Sequence, residues 1–260
     1  MRGAKYPTDL TDAQWKLIRP LLPKPKPGGR PRTVNLREIL NGIFSIVRGG
    51  VPWRMLPHDF PPWGTVHSYY WKWRRDGTRE TIQDALRTKV RHKNGRPKSP
   101  RAALIDSQTG KTTERGGPRG YDSGNRIQGR QRHIVVDSLG LLLAVVVHSV
   151  GIQDRDGAKL VWEEPQGRFS RLKLIWADGA SAAVVDSAQA VCGGVLELVR
   201  KPEGSRTFQV LPRRWVVERT VGWLNRCQRL SKDDERDTGS SEAMIHLAMI
   251  HRMLKRLCRA

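Results

Sequence analysis

Three acids in this chain sit where they could do chemistry. Asp106 ends the apolar run Ala102-Ala103-Leu104-Ile105, and Asp178 ends Leu172-Lys173-Leu174-Ile175-Trp176-Ala177. Glu218 lies inside Arg213-Arg214-Trp215-Val216-Val217-Glu218-Arg219, which reads as a helix. A strand that is apolar along its length is buried on both faces. An acid at its end then stands at the open end of a sheet, where α/β proteins build their sites. Two strand-end aspartates and a helical glutamate are a donor set for Mg²⁺, with Mn²⁺ a possible substitute. Mg²⁺ takes oxygen ligands and keeps several waters, so a few carboxylates plus a substrate phosphate suffice. Two such ions, roughly 3.5–4 Å apart, can stabilise both the attacking and the leaving oxygen of a phosphodiester displacement. Strand-to-loop acids with no metal would produce the same pattern, so the acids alone leave both readings open.

The spacing is compatible with convergence. Asp178 lies 72 positions after Asp106, room for two strands, a helix and the next strand. Glu218 lies 40 positions after Asp178, room for one helix and one strand. Other acids have simpler readings. Asp137 ends a β-like run but adjoins a turn. Asp154, Asp156, Glu163, Glu164 and the Asp233–Asp237 group read as helix-cap or surface acids.

The charge balance names a partner class. The 260 residues carry 47 basic and 25 acidic side chains, a formal net charge of +22. That surplus suits a polyanion, with nucleic acid the default. Residues 1–101 hold 22 basic and 7 acidic residues, a net of +15, against +7 for the rest. The N-terminal part is therefore the electrostatic one. The three cysteines, Cys192, Cys227 and Cys258, are too far apart for a zinc knuckle and suggest a reducing interior. No apolar stretch is long enough for a signal or a membrane span, so a cytoplasmic protein associated with the nucleoid is expected.

The elements that position the acids fall in two parts. Residues 1–92 read as an all-α domain. Thr11 to Gln14 matches a capping box, and Asn35 with Glu38 forms another. Leu36, Ile39, Leu40, Ile43, Phe44 and Val47 make a core stripe that ends at Gly49-Gly50. A short turn at Val51 to Pro57 precedes a helix from an N-cap at Thr65 through Arg75. Lys72, Arg74 and Arg75 lie largely off its aromatic face. That is the order of a helix-turn-helix presenting a recognition helix to double-stranded DNA. A plain helical bundle with an aromatic core would show the same aromatics. A further helix runs from about Thr78 to Arg91. Residues 93–101 read as a basic linker.

Residues 102–260 alternate strand and helix, the pattern of an α/β domain. The strand ending at Asp106 leads into a glycine-rich basic segment, Gly110 to Gly129. It holds Lys111, Arg115, Arg119 and Arg126, with Arg130 and Arg132 just beyond, and reads as a loop able to bind a phosphate backbone. Strands at His133 to Asp137 and Leu141 to His148 meet in a hairpin-like turn. A helix from Asp154 to Glu164, a helix from Ala180 to Val191 and a strand from Gly194 to Arg200 follow. An apolar last helix starts at about Ser241.

Several stretches resemble the DDE transposases of bacterial insertion sequences, in the insertion-sequence-five family. They include Trp53 to Trp63, Ile105 to Gln108, Arg119 to Asp122, Gly129 to His133, Asp154 to Lys159, Trp176 to Gly179 and Arg213 to Thr220. The resemblance covers nearly the whole chain. It implies a ribonuclease H-like catalytic domain, a mixed sheet with flanking helices, preceded by the all-α helix-turn-helix-like domain. It implies that Asp106, Asp178 and Glu218 are the catalytic, metal-binding acids. The activity it implies is Mg²⁺-dependent: binding the element's terminal inverted repeats, cleaving its ends, and joining the freed 3′ hydroxyl to target DNA. A homodimer on paired ends is the expected assembly, and Arg214 is expected to hold phosphate. A catalytically inactive relative acting as a repressor, and a ribonuclease H-like nuclease, are the alternatives.

The chain also departs from the family's pattern. The wider superfamily shows Tyr-x2-Arg-x3-Glu-x6-Lys around the glutamate. Arg214 and Glu218 match, but Leu211 stands at the Tyr position and Asn225 at the Lys position. Arg226 and Arg229 are the candidate replacement cations. Gly179-Ala180-Ser181 stands where Gly-Gly-Tyr is usual, and Gln128 and Gln131 stand where lysines are frequent.

Overall fold

A computed structural model of the chain describes residues 6–25, 28, 32–123, 126–152, 154–164, 167–177, 195–198 and 214–259. Four helices open the fold: α1 (Asp12–Ile18), α2 (Leu36–Gly49), α3 (Trp63–Arg75) and α4 (Thr78–Lys93). The Thr11 capping box forms with both bonds in place. At α2, Asn35 accepts from the Arg37 N–H. The expected stripe of α2 is buried throughout, and Gly50 closes the helix in the left-handed region at φ 72°. A side chain there would also meet Gln228, with Cβ only 2.8 Å from its Cβ, so glycine answers two demands at once.

One boundary differs from expectation. Helix α3 starts at Trp63, capped by Pro62, not at Thr65. Proline's fixed φ suits a helix start, and the Thr65 and Val66 N–H groups both donate to the Pro62 carbonyl.

The strands are β1 (Ala102–Lys111), β2 (Gly120–Asp122), β3 (Ile127–Asp137), β4 (Leu142–Ser149), β5 (Leu174–Ala177) and β6 (Val195–Leu198). They form one mixed sheet in the order β2-β3-β1-β5-β6, with β4 also on β3. β1 is antiparallel to β3 and parallel to β5, and β6 is parallel to β5. Helix α5 (Asp154–Glu163) follows β4. After β6 come α6 (Trp215–Asn225), α7 (Gln228–Ser231) and α8 (Thr238–Leu257). Ala103 and Ile105 pack with α5 residues on one face of β1, while Leu104 joins the helical core on the other. The apolar run was thus buried on both sides, as its composition demands.

The strand at Asp106 does not end there. β1 continues to Lys111 because β3 pairs with it from Ala103↔Asp137 to Lys111↔Gly129. Much of the supposed basic loop is therefore sheet. Helix α8 begins three residues earlier than expected, with Asp237 capping through the Gly239 N–H. It packs against α2, α4 and β4, so the N-terminal helices and the sheet share one continuous hydrophobic cluster. Buried polar links reinforce that junction. Arg91 of α4 pairs with Asp137 of β3, and Gln83 donates to the Leu142 carbonyl at 3.2 Å. No helix among the described residues is long and apolar enough to cross a membrane. The expected helix at 180–191 lies outside the described residues.

Candidate active site

Side chains alternate across a strand, so Asp106 shares the face of Leu104, towards α6. Its carboxylate is 16% exposed, and Oδ1 accepts from the Ser107 N–H at 3.0 Å. Helix α6 packs across this face by burying Val217 and Leu224. Its N-cap, Arg214, brings Nη2 to 3.8 Å from Asp106 Oδ1. Glu218 stands one turn further on, exposed, in the first turn of the helix. At the other end of α6, Asn225 Oδ1 accepts from Gln108 Nε2 at 3.4 Å. The departure from lysine at 225 therefore ties α6 to β1 instead of presenting a cation.

Asp178 lies outside the described residues. The strand leading to it is described: β5 runs parallel to β1 with Leu104 opposite Trp176. Among the described residues no group of three or more His, Cys, Asp or Glu side chains could hold a metal ion. The two described acids still suit Mg²⁺ chemically. Both are carboxylates, the oxygen donors that Mg²⁺ takes, and both reach solvent.

Two matches to known families complete the picture. Residues 10–83 match a transposase family of the IS4/5 type, and residues 97–253 match the transposase DDE domain, more than half the chain. The chain belongs to the DDE transposases. Its mixed sheet with flanking helices is thus ribonuclease H-like, behind an all-helical N-terminal region of about four helices. No curated protein matches the chain.

Around the transposase's acids, the cations expected to touch DNA divide sharply. Lys72 and Arg75 are exposed on α3, and Arg119 and Arg126 are exposed beside β2 and β3. Arg74 is committed elsewhere. Its guanidinium pairs with Asp237, donates to Ser240 Oγ at 2.9 Å and stacks over Trp71, fixing α3 to the start of α8.

Arg130 and Arg132 are corrections to the sequence reading. Arg130 is wholly buried. Its guanidinium donates to the carbonyls of Pro118, Glu235 and Arg236 at 2.7–2.8 Å, and it faces Asp233 at 3.3 Å. Arg132 donates to the Leu230 carbonyl at 2.6 Å, and burial lowers its pKa. Both are strand residues of β3 whose side chains pin the segment before α8, so neither can meet a phosphate. Asp233 belongs to a group whose sequence reads as helix-cap or surface acids, yet it is buried between these arginines, with Ser241 Oγ donating to it. Arg229 is likewise buried, in a pair with Glu235, which leaves exposed Arg226 as the remaining candidate cation near Asn225. Nothing in local sequence distinguishes these buried partners from surface charges. Arg130 and Asp233 pair between segments about 100 residues apart.

Proposed function

We propose that this DDE transposase binds the terminal inverted repeats of its own insertion sequence, cleaves the element's ends and joins them to target DNA. The observation that carries the reading is the junction of β1, β5 and α6. Asp106 faces the helix that bears Arg214 and Glu218, and the parallel register Leu104↔Trp176 runs towards Asp106 and Asp178 two positions further along each chain segment. Asp106, Asp178 and Glu218 would hold two Mg²⁺ ions, with Mn²⁺ able to substitute. When bound, the ions would supply Lewis acidity to an in-line phosphodiester displacement.

The protein's own groups do the rest. Arg214 offsets the negative charge at Asp106, and its guanidinium, a planar fork suited to phosphate oxygens, would position the substrate backbone there. The Gln108–Asn225 bond holds α6 in place against β1. No Ser, Tyr or Cys is needed as a nucleophile, because water frees the 3′ hydroxyl and that hydroxyl attacks the target. Residues 1–92 would recognise the ends, with Lys72 and Arg75 on α3 towards the duplex and Arg119 and Arg126 on a neighbouring edge. Residues 93–101 would serve as the connection and residues 102–260 as the catalytic part. Pairing two ends calls for a homodimer, acting on nucleoid DNA in the cytoplasm.

The test is a cleavage assay on DNA carrying the element's flanking ends, with Mg²⁺, Ca²⁺ or chelator, read at nucleotide resolution. Metal-dependent nicks at the element boundary followed by joined products are expected. Nicks without joined products would replace the reading with a nuclease. Specific binding with no cut in any metal would replace it with an inactive, repressor-like protein.

A further inference from the structure

Helix α6 carries a second pattern that the acids do not use. Trp215, Arg219 and Trp223 recur every four residues and so share one helical face. The Arg219 guanidinium carbon lies 4.4 Å from the Trp215 ring and 4.6 Å from the Trp223 ring. From α8, Arg252 sits 4.1 Å over Trp223 and Arg256 lies 5.9 Å from it. Three arginines on two helices thus converge on one indole, and Trp215 is 46% exposed.

Among the described residues one acid acts on this cluster, Asp137 on Arg256, and it is already paired with Arg91. The groups acting electrostatically on Arg252 are Arg256, Arg259, Arg226 and Arg219, all cations, and with burial they lower its pKa. Arg219 is lowered by burial and by Arg256. The Nε atoms of Arg219 and Arg252 are buried with no acceptor among the described residues. The Leu139 carbonyl receives Arg219 at 3.4 Å and Arg256 at 3.1 Å, leaving much of each fork unused. Stacking on indole recovers only about 0.5–1 kcal/mol per arginine at exposed sites. Gathering like charges costs stability, and a bound polyanion would offset that cost.

We infer that this arginine–tryptophan ladder is a second DNA-backbone track, separate from the N-terminal helices and next to Glu218 on the same helix. The inference rests on the DNA-binding reading above. The indoles hold the guanidinium planes, and a held fork matches phosphate oxygens two at a time. From Trp215 to Trp223 the track spans about 12 Å of helix axis, the rise of roughly three to four base pairs. It contacts phosphates and therefore positions DNA without reading sequence.

The test uses the full chain and fluorescence anisotropy across a salt series, on duplex carrying the element's end and on an unrelated duplex. The variants are Arg252→Gln with Arg256→Gln, Arg256→Gln alone, and Arg252→Lys with Arg256→Lys, each checked by thermal melting. Each phosphate contact contributes about 0.9 to the slope of log affinity against log salt. The double Gln variant should lower that slope by about 2 on both duplexes. Between 50 and 200 mM salt it should then lose roughly tenfold less affinity than wild type. The single Gln variant should lower the slope by about 1, and the Lys pair should restore it. Unchanged slopes in folded Gln variants, with wild type binding DNA, would overturn the ladder alone. Loss confined to the element's end would also overturn it, because that is sequence reading. A wild type that binds neither duplex would overturn both the ladder and the DNA-binding reading.

Discussion

Replacing Asp137 by Asn removes one charge from the junction between the N-terminal helices and the sheet. The Arg91 and Asp137 side chains are 4% and 0% exposed. Asp137 Oδ1 accepts the Leu139 and Leu141 N–H groups at 2.8 and 2.9 Å, while Oδ2 faces Arg91 Nη1. Asparagine can keep the two turn bonds through its carbonyl oxygen. It cannot neutralise Arg91, whose Nε is already given to the Pro97 carbonyl. Leaving a buried guanidinium without its partner costs about 3–5 kcal/mol. At roughly 2–4 °C per kcal/mol for a chain of about this size, the melting point should fall by about 10 °C. Arg91→Met combined with Asp137→Asn removes the stranded charge, so the pair should cost at least about 2 kcal/mol less than the sum of the singles. Urea and thermal denaturation followed by circular dichroism supply all four corners of the cycle. A cost below about 1 kcal/mol for Asp137→Asn, or strict additivity, would refute the buried pair. Two separate unfolding transitions in wild type would refute the shared core.

Asp106→Ala should cut DNA cleavage at least about a thousandfold, the equivalent of several kcal/mol of lost catalytic stabilisation. Its partly exposed pair with Arg214 is worth at most about 1 kcal/mol, so the melting point should barely move and end binding should persist; parallel loss of binding and cleavage would defeat the division of labour. His133, His246 and His251 are each pushed down to about 3, chiefly by burial. A depressed histidine leaves the unfolded chain binding more protons between about pH 3 and 6.5, so stability is present above pH 6.5 and falls on acidification, by up to about 1.4 kcal/mol per pH unit per ring. Glu235 and Glu242, raised by burial, oppose this at the acid end. Since His251 stacks on Phe44 at 4.5 Å, His251→Phe should flatten that acid slope relative to wild type, and identical slopes would count against a neutral buried imidazole. Gly157→Ala should destabilise by about 1–3 kcal/mol in urea titrations despite alanine's helix preference. Its Cβ would come within 2.1 Å of His148 Nε2 and 2.5 Å of His133 Nε2; a neutral or stabilising result would mean the imidazoles move aside freely.

Local patterns determined a good deal of this protein. A hydroxyl and an amide three positions apart placed the start of α1, and the stripe from Leu36 to Val47 with a glycine behind it placed α2 and its end. Those features depend only on backbone N–H groups and helical periodicity within one segment. The apolar runs before Asp106 and Asp178 announced strands covered on both faces, and Arg214 and Glu218 fell on one helix beside β1. The choice of Asp106, Asp178 and Glu218 as the proposed catalytic acids comes from the family resemblance, because composition leaves it open.

Charge, by contrast, has no address until the chain is folded. Arg126 and Arg130 are four positions apart in a basic stretch, yet one is exposed and the other wholly buried. The difference is made by Asp233 and the carbonyls at 235 and 236, which arrive from another part of the chain. The extent of β1 was likewise decided by β3, whose ladder carries the strand on through Gly110 and Lys111, residue types depleted in strands. Residues 1–92 and 102–260 read as two domains, and their shared core depends on α8, the last helix, lying between them. Tertiary structure also assembled the arginines of α6 and α8 around Trp223. Periodicity identifies which face of a helix is apolar, but only packing chooses which other helix that face will meet.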